Sequence, residues 1–391
     1  MNKSILYISC LLLLVTAACK KAYQPFVLSQ PNQYLVVEGV INTAAGKSTI
    51  IKLSKSRNIN DTVSFEPVTS ALVKIEAETG PVAVLSSVGE GRYESPALVL
   101  NPSGKYRLTI DTEGNNYQSD YVLAKNNSEI DSVTWERPGD VNLYLYTHDP
   151  TNNTRYYRWE YEETWEYNSL YNGIWGLDAN RRIILLDSTN QTYTCWKTVK
   201  SSDILIKSTI QLSEDVVSRL PLSSIRQNSE GLYNRYSLLV RQYSLTPEAF
   251  QFWEILKKNT QSLGGIFDQQ PSQLKSNFRC TNNPAQPVIG YLSVCPVREQ
   301  RIFIKHSQVP GWPAYPPNPN CEVTFIDRNP VDMYIFSPPP PAYPYYFITG
   351  GGIAVTNVVC VDCRFRGGVS KTSVLVTEGP STTNEKSFAN K

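Results

Sequence analysis

Histidine and methionine are nearly absent: His148 and His306 are the only histidines, and the 391 residues include just 2 methionines. Lying far apart in sequence, the two imidazoles offer little material for a histidine general base, the usual proton-transfer group near neutral pH. Also missing are a Gly-x-Ser-x-Gly elbow, a His-Glu-x-x-His zinc helix and a Walker loop, which sets aside the classes that depend on those motifs. Thr349-Gly350-Gly351-Gly352 reads as a flexible turn rather than a phosphate cradle. Beyond the N-terminus no apolar run is long enough to span a bilayer. A net charge of +2 gives no strong field to draw nucleic acid.

Strand and turn formers are abundant, with 24 tyrosines and 26 prolines beside many Thr, Ser and Asn residues. They predict a mainly β, exported protein. The densest pattern is Thr147 to Tyr167. After the turn-forming Asp149-Pro150-Thr151-Asn152-Asn153, side chains alternate with the period of two that marks a strand. One face carries Tyr157, Trp159, Tyr161, Glu163, Trp165 and Tyr167; the other carries Tyr156, Arg158, Glu160, Glu162, Thr164 and Glu166. The aromatic face is expected in the core, because each ring removes roughly 150 to 250 Å² from water. The alternative is an exposed platform for sugars or a peptide. The charged face is expected to be solvated. Asp149, Glu160, Glu162, Glu163 and Glu166 could supply a glycosidase-type carboxylate pair, whose separation runs from ~5 to ~9.5 Å. His148-Asp149 reads as a turn cap rather than a metal site, since no further spaced ligands accompany it. No metal or cofactor is expected.

The N-terminus has the layout of a secretory signal, residues 1–18: Lys3, the apolar run Ile5 to Val15, then Thr16-Ala17-Ala18 before Cys19. Small residues directly before a cysteine resemble a bacterial lipobox, although Thr16 stands where Leu is usual. The resemblance makes Cys19 the lipid-attachment residue, and its acyl chains would hold the protein at a membrane without a spanning segment. Residues 19–32 form a tether, 33–128 an immunoglobulin-like β-sandwich, 129–368 a larger β-rich domain, and 369–391 a weakly ordered tail. The first domain contains repeated Gly-x-Tyr turns similar to those of immunoglobulin-like and carboxypeptidase-regulatory-like modules. In the second, Thr246 caps a helix that begins at Pro247 and stops near Gly264. A shorter helix is expected after Ser213.

The remaining cysteines, Cys195, Cys280, Cys295, Cys321, Cys360 and Cys363, are an even set in an oxidising compartment, enough for up to three disulfides of undetermined pairing. Cys360-Val361-Asp362-Cys363 has redox spacing without the βαβ context of a thioredoxin, so structural bridging is preferred. Two proline-rich segments, Pro310 to Pro319 and Ser337 to Tyr346, favour extended polyproline backbone. They are either rigid loops or a partner-contacting rim. The ligand-binding candidates there are Trp312, Tyr315, Tyr343, Tyr345 and Tyr346.

Several segments together resemble a lipoprotein family of Bacteroidota known as domain of unknown function 4249. They are Tyr34 to Gly39, Ile130 to Val133, Thr147 to Pro150, Tyr156 to Trp165, Gly265 to Ser272, Pro287 to Tyr291, Arg301 to Ile304 and Cys360 to Arg364, with Gly367-Gly368. Family members tend to finish on Pro-x-Trp after the paired glycines, which Val369 onward does not. Lys20 and Lys21 replace the acidic residues that often follow the lipid cysteine in surface-exported lipoproteins, leaving either leaflet open. The resemblance implies a lipid-anchored outer-membrane protein, often encoded beside a TonB-dependent transporter and so an accessory in ligand capture or uptake; it carries over no activity, and the lack of a reaction centre among the motifs points to a non-enzymatic role. The alternatives are a carbohydrate-active or peptide-hydrolysing envelope enzyme, and a structural envelope-assembly lipoprotein.

Overall fold

The structure, a computed structural model, describes residues 33–57, 66–178, 183–187, 190–227, 229–261, 274–313, 321–326, 342–347 and 352–370. The signal, Cys19, the tether, Gly264 to Ser272, Tyr315, the Pro338 to Pro341 run, Gly350-Gly351 and the tail past Ser370 lie outside these residues.

The chain is mainly β, as its composition predicts. Its first sheet is nearly closed and barrel-like, with twelve strands. Alternation sets its inner face: Lys105–Thr112 buries every second residue, sending Tyr106, Leu108 and Ile110 inward. Ile41, Ile51, Leu53, Val73 and Tyr93 complete that core. Three late segments join this sheet. Phe278–Cys280 pairs antiparallel with Asn115–Ser119, while Val288–Ile289 and Ser293–Cys295 run parallel to Leu35–Asn42. Sequence pattern groups Val288 to Val294 with the following strands, because alternation marks a strand without naming its partner. Gly290 shows what the parallel pairing demands: it sits at φ +142°, and a Cβ there would collide with the Val37 carbonyl oxygen.

Two further sheets face each other. One is Ile130–Glu136, Val141–Asp149 and Asp215–Ile225; the other sets Tyr156–Asn168 between Arg235–Ser244 and the pair Thr194–Lys200 and Leu205–Ser208, with Arg298–Lys305 at the edge. Leu143, Leu145, Tyr157, Trp159, Val217, Leu238 and Ile304 form one core between them. Tyr157, Trp159 and Tyr167 are fully buried and Tyr161 and Trp165 pack against the same interior, so the aromatic face of the long strand is core.

Two expectations are corrected in this region. The segment after Ser213 is a strand, not a helix; Pro221, which lacks an N–H, is tolerated on the sheet edge beside a register shift opposite Tyr144. The charged face of the long strand is not simply solvated. Arg158 is buried between the rings of Tyr243, 4.3 Å away, and Trp253, 4.2 Å away. Trp253 comes from the helix Pro247–Gln261, whose first turn is capped where Thr246 Oγ1 accepts the Ala249 N–H at 3.2 Å.

A small sheet of Thr324–Ile326, Ile353–Asn357 and Ala342–Phe347 is tied in by two disulfides, Cys195–Cys363 and Cys321–Cys360. The Cys360 and Cys363 thiols therefore bond to different partners rather than to each other. Cys280 and Cys295 are buried free thiols, so a third bridge is absent among the described residues. Non-reducing peptide mapping is expected to recover these two linkages. Maleimide should label Cys280 and Cys295 only after denaturation; labelling of either in the folded protein would contradict their burial.

Candidate functional site

Of the five carboxylates that suggested hydrolytic chemistry, Asp149, Glu160, Glu163 and Glu166 are engaged in structure, and Glu162 lies half-buried on the same strand face as Glu160. Asp149, 5% exposed, accepts hydrogen bonds from the Thr151 N–H and hydroxyl at 2.9 and 2.7 Å and from those of Thr154 at 2.9 and 2.8 Å. Burial alone would raise its pKa, but these donors outweigh it and hold the carboxyl at about 2. His148 pairs instead with Asp131 at 2.8 Å, and that carboxylate raises the imidazole pKa. Asp149 thus caps the turn, whereas His148 takes no part in it and ties its strand to the neighbouring one.

Glu160 pairs with Arg158 and accepts the Tyr243 hydroxyl at 2.8 Å. Burial disfavours its charge, yet Arg158 and Tyr243 prevail and its pKa is lowered. Glu163 faces the opposite side of the strand and accepts from Tyr236 at 2.5 Å and Ser223 at 2.7 Å. Burial, followed by the Glu163 charge, pushes the Tyr236 hydroxyl pKa well up. Glu166 is held by Arg235 at 2.9 Å. These groups do not converge on one cleft, and among the described residues no group of three or more His, Cys, Asp or Glu could hold a metal.

The proline-rich candidates are also dispersed. Trp312 is buried in the core of the facing sheets, with Arg137 over its ring at 5.6 Å. Tyr343 is buried in the small sheet and its hydroxyl accepts the Leu177 N–H at 3.3 Å. Of the described candidates, Tyr345, half-buried against Tyr171 at 4.8 Å, and Tyr346, 37% exposed, retain accessible ring surface. Trp312 and Tyr343 are occupied by packing, so they do not form a rim.

A concave site exists elsewhere, where the chain crosses from the first sheet to the facing sheets and back. It is a groove of about 580 Å³ lined by the turn after Leu35–Asn42, by the outgoing crossing near Lys125 to Glu129, and by the return through Pro296 to Glu299. Asn42 joins the walls: its Oδ1 accepts the Ala44 N–H at 3.0 Å and the Val297 N–H at 2.9 Å. Gly46, at φ +71°, permits the tight turn that presents Lys47. The two crossings run together, with Lys125 N–H donating to Val294 O at 2.9 Å and Asn127 Nδ2 to Pro296 O at 2.9 Å. Arg298 spans the groove wall, pairing with Glu129 at 2.8 Å. None of these residues forms a motif in sequence, because they come from separated segments and carry ordinary turn and linker chemistry.

These features sit within a family-defining region. The model of a family described as a domain of unknown function, DUF4249, matches residues 22–301, and the chain belongs to that family. No curated protein matches it. Among solved structures it is similar to a DUF4785 family protein from Legionella pneumophila, at 10% identity and a TM-score of 0.18, over 53% of this chain and 52% of that one. It is also similar to the adhesin InvE of Yersinia pseudotuberculosis, at 14% identity and a TM-score of 0.15, over 55% of each chain. The chain spans about half the length of either.

The Asp149 turn yields a stability prediction. Because its folded pKa of about 2 lies below the ordinary 3.8, the carboxylate stabilises fully above the ordinary value and loses that contribution as pH falls toward about 2. Asp149→Asn is expected to cost about 2 kcal/mol in urea unfolding at pH 7, at ~1.4 kcal/mol per pKa unit. The difference from wild type should shrink as pH falls from about 4 toward 2; an equal deficit at both ends of that range would rule the cap out as its origin.

Proposed function

We propose that the protein is a non-enzymatic accessory of the outer membrane, anchored by lipid on Cys19, that captures a ligand and works beside a TonB-dependent transporter. The observation that supports capture over hydrolysis is a division of labour. Glu160, Glu163 and Glu166 on the long strand and Asp149 ahead of it are bound to Arg, Tyr, Ser and Thr partners, whereas a concavity at the seam is lined by Lys47, Lys125 and Arg298. A general acid or base needs a free proton site next to substrate; Asp149, Glu160 and Glu163 are instead held as hydrogen-bond acceptors. The seam suits ligand capture, because sites between structural units are common places for small-molecule binding.

Anchoring agrees with the signal-like N-terminus, and the transporter with the family resemblance. Cross-linking in native membranes followed by affinity purification is expected to recover a TonB-dependent transporter with the wild-type chain. Cys19→Ala should lose palmitate label and membrane retention. Repeated failure to recover any such transporter would overturn the association, and a labelled, membrane-bound Cys19→Ala protein would overturn the anchor.

A further inference from the structure

We infer that the seam groove binds a compact organic polyanion through Lys47 and Lys125. The inference rests on the groove being the ligand site of the proposed function, but does not require the transporter. At about 580 Å³ the groove is of ligand size. Its charges are unevenly satisfied. Glu129 is paired with Arg298 at 2.8 Å and Glu299 with Arg241 at 2.7 Å, so both acidic residues of the lining are neutralised. Lys47 and Lys125 have no carboxylate partner among the described residues; the ammonium of Lys125 reaches only the Asn153 carbonyl, at 3.3 Å. Two unneutralised cations are left in a concave wall, where the field of like charges is focused rather than dispersed.

A second observation points the same way. Thr43 also lines the groove, is 9% exposed, and its hydroxyl has no hydrogen-bond partner within the protein. Buried hydroxyls are ordinarily paired, so the groove wall holds a polar group that the protein itself leaves unsatisfied just behind its surface. The rest of the lining includes Ala44, Pro102, Pro296 and Val297 and contains no aromatic ring. That composition lacks the flat platform on which a neutral sugar would stack, and leaves charge as the means of recognition. Lysine ammonium is a compact point charge with rotatable donors, unlike the planar fork of arginine. Carboxylate and phosphate oxygens would both satisfy it, so the shared chemistry is a small molecule carrying two or more oxyanions.

Both chain crossings line the groove, so a ligand there would also brace the seam and raise the unfolding temperature progressively with the logarithm of its concentration above Kd. The test is isothermal titration of the full mature chain in detergent with citrate, with fructose 1,6-bisphosphate and with sucrose. At least one anion should saturate, more weakly as salt is raised, and sucrose should not. The double variant Lys47→Gln/Lys125→Gln should lose about tenfold or more in affinity, roughly 1.4 kcal/mol. Lys207→Gln, on an exposed strand position outside the groove, should bind as wild type.

Preference for citrate or for the bisphosphate assigns carboxylate or phosphate as the recognised group. Absence of saturation by either anion, equal binding of sucrose, or an unchanged double variant would overturn the inference. Both lysines are at least partly exposed, so the variant is expected to keep the wild-type circular dichroism and unfolding transition. A protein that binds neither anion but still cross-links to a transporter refutes this inference alone. One that binds an anion and never recovers a transporter refutes the association alone.

Discussion

The side-chain amide of Gln242, completely buried, holds together elements that would otherwise be independent. Its oxygen accepts the Trp159 indole N–H at 2.8 Å, and its nitrogen donates to the Ser128 carbonyl at 2.9 Å. Its backbone carbonyl accepts Asn127 Nδ2 at 2.8 Å, and the same Asn127 nitrogen donates to Pro296 O. One residue thus connects the long aromatic strand, its neighbour and both crossings of the chain. In a low-dielectric interior each of these groups is costly if unpaired, so the network admits few alternative arrangements. It joins Trp159 to Gln242 where the two strands are in register and ties together the two crossings that wall the groove.

The long strand illustrates how functional-looking chemistry can be structural. Arg158 is a buried cation, tolerated because two aromatic faces and Glu160 surround it. Its partners come from the adjoining strand and from the helix, and the cation therefore fixes the helix against the sheet. Asp215, also buried, does similar work at the strand's start by accepting the Arg155 N–H at 2.8 Å and the Thr209 hydroxyl at 2.5 Å. Charge and aromaticity in this stretch are spent on holding position, and the groove is built from plainer residues.

At the other end of the same strand, the Tyr167 hydroxyl donates to the Cys363 carbonyl at 2.9 Å, and burial pushes its own pKa up to about 12. Gly368 passes so close that a Cβ there would meet that hydroxyl and the Cys195 side chain. With Cys195–Cys363 and Cys321–Cys360 beside it, the last described segment is fastened to the strand that begins at Tyr156. Order at both ends of one strand therefore extends from the seam to the small sheet.

The sequence by itself determined the local features. Period-two alternation placed Tyr157 and Trp159 in the core, and Thr246-Pro247 marked the start of the helix. Residue chemistry at short range was sufficient for these, because a pleat or a cap involves only near neighbours. Only the tertiary structure decided which strands pair, which cysteines join, and where a concavity forms. Val288–Ile289 lies beside Leu35–Asn42, and Cys195 bonds Cys363 across a separation of 168 residues. Lys47, Lys125 and Arg298 come together because the chain crosses the seam twice. Such contacts depend on loop closure and mutual packing of distant segments, and no periodicity or spacing within one segment encodes them.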